Sequence, residues 1–168
     1  LSTINSTDGF IDGRNIMKAL IIVESWFGNT ATIGQEIATE LRAHNTEVET
    51  IGIGEAPTTI PPDTDLLVLG APTHNRGLST PASREKASMT TQAVGDHTIG
   101  IREWLTATTL PDGLKVAVFD TVTGKNFIAG SAAKAAAKLL GSRSPRISAH
   151  TRSFVVRGVS GPLDPGAL

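Results

Sequence analysis

The chain is predicted to be an α/β protein: a parallel sheet covered on both faces by helices, a three-layer sandwich. Three observations predict it. Apolar runs such as Ala19-Leu20-Ile21-Ile22-Val23 have the composition of strands buried on both faces. Segments of helical period alternate with them, which calls for right-handed crossovers. Polar, glycine-bearing loops follow the first, third and fourth strands, and so lie along one rim of one sheet. In such sheets ligands bind at the strands' carboxyl ends, beside the point where strand order reverses.

The first strand spans about Lys18 to Val23. Its helix, Thr30 to Ala43, puts Ile33, Ile37, Ala38 and Leu41 on one face. The second strand, Glu47 to Ile53, alternates less cleanly and suits a sheet edge. Gly54 to Thr64 is rich in proline and threonine and has room for one helical turn at most. The third strand, Asp65 to Leu69, is again apolar and ends at Gly70-Ala71-Pro72, before the polar loop Thr73 to Ser79. Thr80-Pro81 has the form of an N-cap with proline at the first helical position. A helix follows to about Met89, with a linker through Gly95-Asp96. Gly100 to Ala107 forms another, with Ile101, Trp104 and Leu105 on one side. The fourth strand is Lys115 to Phe119, and an alanine-rich helix runs from Ser131 to Leu140. Phe154-Val155-Val156 is the core of a fifth strand.

With 168 residues and a formal charge of −1, the chain suits one domain with a proper core, Met17 to Leu168. Near-neutral charge gives no electrostatic case for nucleic acid or an acidic membrane as partner. The absence of cysteine excludes disulfides, thiolate metal sites and cysteine nucleophiles. No apolar stretch approaches the roughly 20 residues that span a bilayer. Leu1 to Ile16 is polar and unpatterned, and is expected to be an appended or disordered leader. It lacks the basic start and apolar middle of a secretory signal, so the cytoplasm is the expected location.

Glu24-Ser25-Trp26-Phe27-Gly28-Asn29-Thr30 joins the first strand to the first helix. Amides at a helix start lack intrahelical partners and attract anions. Gly28 allows close backbone approach. Ser25, Asn29 and Thr30 add side-chain donors. No lysine lies in the loop, so it suits a terminal monophosphate better than a triphosphate. The alternative is an ordinary strand–turn–helix connection capped by Thr30.

Ser25-Trp26-Phe27-Gly28-Asn29-Thr30 resembles the phosphate loop of the flavodoxin-like FMN-binding family, with Phe27 in place of the middle hydroxyl. Gly70-Ala71-Pro72-Thr73-His74, with Ser79-Thr80-Pro81 behind it, resembles the loop on one side of that family's isoalloxazine. Phe119-Asp120-Thr121 resembles the loop on the other, and Gly161-Pro162-Leu163 is similar to a further signature. The resemblance covers Met17 to the C-terminus. It implies strand order 2-1-3-4-5 and FMN as cofactor. The phosphate would lie on residues Ser25 to Thr30. The ring would lie between Pro72, Thr73, His74, Asn75, Arg76 and Gly77 on one side and Asp120, Thr121, Val122, Thr123, Gly124 and Lys125 on the other. It implies electron transfer with a redox partner protein. The alternatives are an FMN-dependent NAD(P)H:quinone or flavin reductase, commonly a homodimer, and an interaction domain of this fold without flavin.

Three departures from the family stand out. Tyrosine is absent, so ring stacking falls to Trp26, His74 or Phe127 or to aliphatic and backbone surfaces. The chain lacks the strong acidity that steers electron-carrying flavodoxins to basic partners. The sequence ends at Leu168, where the family's last helix is expected to begin; without that helix a strip of apolar sheet is expected to be exposed. Among single residues, Arg76 and Lys125 read as solvated loop cations or as counter-charges to reduced flavin. Trp26 either covers the ligand or packs on the first helix. Asp120 either contacts the ring or braces its loop. Trp104 is expected in the core, and His44, His97 and His150, which lack metal-ligand spacing, at the surface.

Overall fold

The computed structural model describes residues 16–90, 95, 97–124, 130–157 and 162. The leader up to residue 15 lies outside them, as do Lys125, Phe127, Gly161 and Leu163. The strands are β1 (Met17–Val23), β2 (Thr46–Gly52), β3 (Leu66–Pro72), β4 (Lys115–Val122) and β5 (Ala149–Val155). The helices are α1 (Asn29–Ala43), α2 (Pro81–Ser88), α3 (Ile101–Ala107) and α4 (Ala132–Arg143), and a single 3₁₀ turn spans Ile53–Glu55. The sheet has the order β2-β1-β3-β4-β5, and every pairing is parallel. This is the predicted α/β sandwich, with β2 at an edge.

Three strands have ends that differ from the sequence expectation. The third and fourth strands continue past their apolar runs, because Ala71 pairs with Asp120 and Pro72 with Thr121. These two strands therefore carry candidate site residues on the sheet itself. β5 begins at Ala149, ahead of its apolar core. His150, Thr151 and Arg152 are exposed and polar, so their pairing with Ala117, Val118 and Phe119 left no hydrophobic signature.

One sheet face packs Leu20, Ile22, Leu67, Leu69, Val116 and Val118 against α3 and α4, which bring Ile101, Trp104, Leu105, Ala132, Ala133, Ala136 and Leu140. Trp104 is in this core, as expected, and donates its indole N–H to Pro57 O at 2.9 Å. The alanine face of α4 allows close seating, since small side chains let a helix approach the sheet. The other face packs Ile21, Val23, Val68 and Phe119 under α1, through Ile33 and Ala38 with Ile37 and Leu41 beside them. Among the described residues α1 is the only helix in this second core. Between it and β5 lies a groove of about 270 Å³ lined by Ile37, Val68, Phe119 and Phe154, with Val68 and Phe119 buried.

Candidate functional site

The loop between β1 and α1 starts the helix without a side-chain cap of its own. The N-cap is Gly28, with φ 90°, and not Thr30. At that φ a β-carbon is strained, so glycine is the natural residue there. Ser25 Oγ accepts the Ala31 amide at 3.2 Å from outside the helix. The α1 start otherwise remains a set of amides without intrahelical acceptors, the arrangement that draws an anion. Ser25, Phe27, Gly28 and Asn29 are half-buried here. Thr30 is buried, and its hydroxyl shares a 3.1 Å hydrogen bond with that of Thr121 at the end of β4.

After β3, His74 and Gly77 exchange backbone hydrogen bonds at 3.0 and 3.1 Å, enclosing Asn75 (φ 48°) and Arg76 (φ 71°). Two central residues with positive φ make this a type I′ turn. Gly130 seats this turn: a β-carbon there would collide with the Arg76 backbone. Arg76 and Asn75 are exposed, and Pro72, Thr73, His74 and Gly77 are half-buried.

Asp120 and Val122 are buried within β4, Thr123 is exposed and Gly124 half-buried. Asp120 is fully buried. Its Oδ2 accepts from the Thr73 hydroxyl at 2.9 Å, the Ser131 hydroxyl at 2.7 Å and the Ala133 amide at 2.9 Å. The Thr73 hydroxyl in turn accepts the Ala132 amide at 2.8 Å. Asp120 thus braces its loop, ties it to the β3 loop and caps α4, the second of its two sequence readings. Each of the three loops is now bonded to another: β1 to β4 through Thr30 and Thr121, and β3 to β4 through Thr73 and Asp120. Trp26 and His74 join β1 to β3, with ring centroids 5.0 Å apart.

Trp26 is buried against His74 and, at 6.2 Å, against His97. His97 is therefore half-buried beside the loop and not on the surface, whereas His44 and His150 are exposed. Burial, and then the nearby Lys86 ammonium, hold the His74 imidazolium below its ordinary pKa, so the ring is neutral at neutral pH. Trp26 Nε1, His74 Nδ1 and His97 Nε2 are buried without a hydrogen-bond partner among the described residues. Phe27, His74, Asn75, Ser83 and Lys86 line a cleft of about 460 Å³ on the α2 side of the turn.

One component was missed from sequence. Glu24, at the foot of the β1 loop, is fully buried, and its Oε2 accepts the Ile101 amide at 2.9 Å. The Ser79 hydroxyl also bonds this carboxylate. Arg84, almost wholly buried, donates to Ser79 Oγ at 2.8 Å, to the His97 carbonyl at 3.1 Å and to Glu103 at 3.1 Å. Burial pushes the Glu24 carboxyl pKa up, against the opposing pull of Ser79, the Ile101 amide and Arg84. Arg84 is reached one turn into α2, which Thr80 starts with a capping box to Ser83. Its position carries no sequence signal, because an arginine on a helix is ordinarily a solvated surface residue.

Among the described residues no cluster of His, Asp and Glu could hold a metal ion, and no helix is long and apolar enough to cross a membrane. No protein-family model and no curated protein sequence matches the chain. Solved structures do match. Oxidised flavodoxin 1 from Bacillus cereus is 21% identical, with 85% of this chain and 88% of that one covered at a TM-score of 0.57. The flavodoxin of Streptococcus pneumonia TIGR4 is 14% identical, covering 89% of each chain at 0.55. Two-electron reduced flavodoxin from Megasphaera elsdenii is 17% identical, covering 83% and 85% at 0.51. The fold of this chain is flavodoxin-like.

Proposed function

We propose that this protein binds FMN and transfers electrons to or from a partner protein. The observation that carries this is the start of α1, where the N-cap Gly28 offers no capping side chain, lying among three mutually linked loops at one rim of the sheet. The flavodoxin-like fold supports it. The residues present fit the cofactor. The α1 amides around Gly28 suit a monophosphate, since dipoles alone are enough where no lysine is present. The buried Nε1 of Trp26 and Nδ1 of His74, beside the loop, are polar atoms without a partner among the described residues.

On this proposal Ser25 and the backbone of Trp26 to Thr30 hold the phosphate. The turn Thr73 to Gly77 and the segment Thr121 to Gly124 flank the ring, with Lys125 next in sequence. FMN supplies one- and two-electron chemistry, and the protein supplies position, burial and local charge. The type I′ turn holds its backbone rigidly against the ligand. Asp120 fixes the opposite loop from behind without leaving the interior. Neutral His74 adds apolar ring surface and no charge.

Titrating the purified protein with FMN tests the proposal. Quenching of flavin fluorescence and a yellow complex are expected. Gly28→Val should weaken binding at least about tenfold, because the strained φ would displace the cradle. A protein that stays colourless and quenches nothing would overturn it. Slow bleaching of the bound flavin by NADPH alone supports a carrier, and rapid bleaching would make the protein a reductase.

A further inference from the structure

A cavity of about 540 Å³ opens on the other side of the β1 loop, away from β3 and β4. Its size is in the range of small-ligand sites, roughly 300–1,000 Å³. β2 pairs in register with β1, Val23 opposite Gly52, so the residues after β2 stand beside the β1 loop. Ser25 and Gly28 line the cavity from that loop, Gln35 from α1, Thr50 from β2 and Glu55 from the turn after it. Val23, Ile51 and Ile53 supply apolar wall.

The chemistry of this lining is selective. Glu55 is its one charged side chain, exposed at the cavity's edge, and makes no ion pair among the described residues. Its charge disfavours an anionic group at that end of the cavity. A carboxylate accepts hydrogen bonds only, and the Thr50 hydroxyl is buried without a partner among the described residues. The complementary ligand therefore presents several hydroxyl donors, carries no negative charge in this part and has an apolar body for the Val23 and isoleucine side. A flat base bearing a vicinal diol meets all three conditions. A simple sugar lacks the apolar body, and a hydrocarbon lacks the donors.

We propose that this cavity binds the nucleoside part of a ribonucleotide, with ribose hydroxyls donated to Glu55 and the base laid against Val23, Ile51 and Ile53. The site goes beyond the flavin proposal: it shares Ser25 and Gly28 with the proposed phosphate cradle, but its ligand needs no phosphate.

The test uses adenosine as probe on isotope-labelled protein, followed by backbone NMR shifts, with and without FMN. Adenosine is expected to shift the amides of Gln35, Thr50, Gly52 and Gly54. 2′,3′-Dideoxyadenosine should bind at least about tenfold more weakly, the cost of losing donors to a charged acceptor. Glu55→Gln should weaken adenosine by a similar factor and leave the dideoxy compound unchanged. Equal affinity for the two nucleosides, shifts confined to the β3 and β4 loops, or no shifts at all would overturn the proposal. FMN fluorescence in the same samples reports on the flavin site separately, and Glu55→Gln should leave it unaltered.

Discussion

Two buried carboxylates fix the rim of this sheet from behind, and they do so in different ways. Asp120, on β4, takes two hydroxyls and one amide on its Oδ2, with no cation among these partners, while Oδ1 is buried without a partner among the described residues. Glu24, on the way out of β1, shares its surroundings with Arg84 and with a second carboxylate, Glu103. The β4 loop is thus held by neutral dipoles that bind it to α4 and the β3 loop. The β1 loop is held by an ion network reaching across to α2 and α3. Hydroxyl and amide donors bring little desolvation cost of their own. An interior guanidinium, by contrast, is tolerable only while its carboxylates remain. The β1 brace should therefore be the more fragile of the two.

The sharpest way to break that contrast is to remove the cation. Arg84→Met leaves Glu24 buried without its compensating charge and strips Glu103 and the Ser79 hydroxyl of a donor. Breaking such a group costs about 3–5 kcal/mol. Chemical denaturation should show that loss, and a change below about 1 kcal/mol would mean the network is not stabilising. Asp120→Ala is expected to cost less, on the order of 3 kcal/mol, since it orphans neutral donors that water can partly satisfy. Because Thr73 is one of those donors, the variant should also loosen the β3 turn. Faster hydrogen exchange at His74 and Gly77 would report this, and unchanged exchange would show that the turn is held by Gly130 and its own bonds alone.

What the sequence revealed follows the same division. Apolar runs marked β1, β3 and β4, because strands buried on both faces need unbroken hydrophobic surface. The Thr80-Pro81 start of α2 was legible because a cap is a local interaction. The loop order along one rim followed from chain alternation alone. The start of β5 was not legible, because exposed edge residues such as Thr151 and Arg152 are held by backbone pairing that any side chain permits. Nor was Gly28 as N-cap, since Thr30 carries the usual capping chemistry and is spent instead on Thr121. Arg84 and His97 gave no local sign at all. Their roles depend on Glu24 and Trp26, which lie far away in the chain and meet them only after folding.

The smallest effect is also the most specific to the β1 brace. Burial raises the Glu24 pKa above its ordinary value of 4.5, so the folded state keeps a proton over a window in which the unfolded chain releases it. The stability this contributes is fully present below the ordinary carboxylate pKa and is lost as pH rises through the raised folded value. Glu24→Gln cannot titrate and keeps the neutral form throughout. The stability of the native protein relative to Glu24→Gln should therefore fall as pH rises from about 4 towards neutrality, by at most about 1.4 kcal/mol per pH unit within the window. Unfolding curves of both proteins, collected without added ligand across that range, measure the difference directly. Parallel pH profiles would mean that Arg84 compensates the charge in full, and the two braces would then differ in their partners but not in their electrostatics.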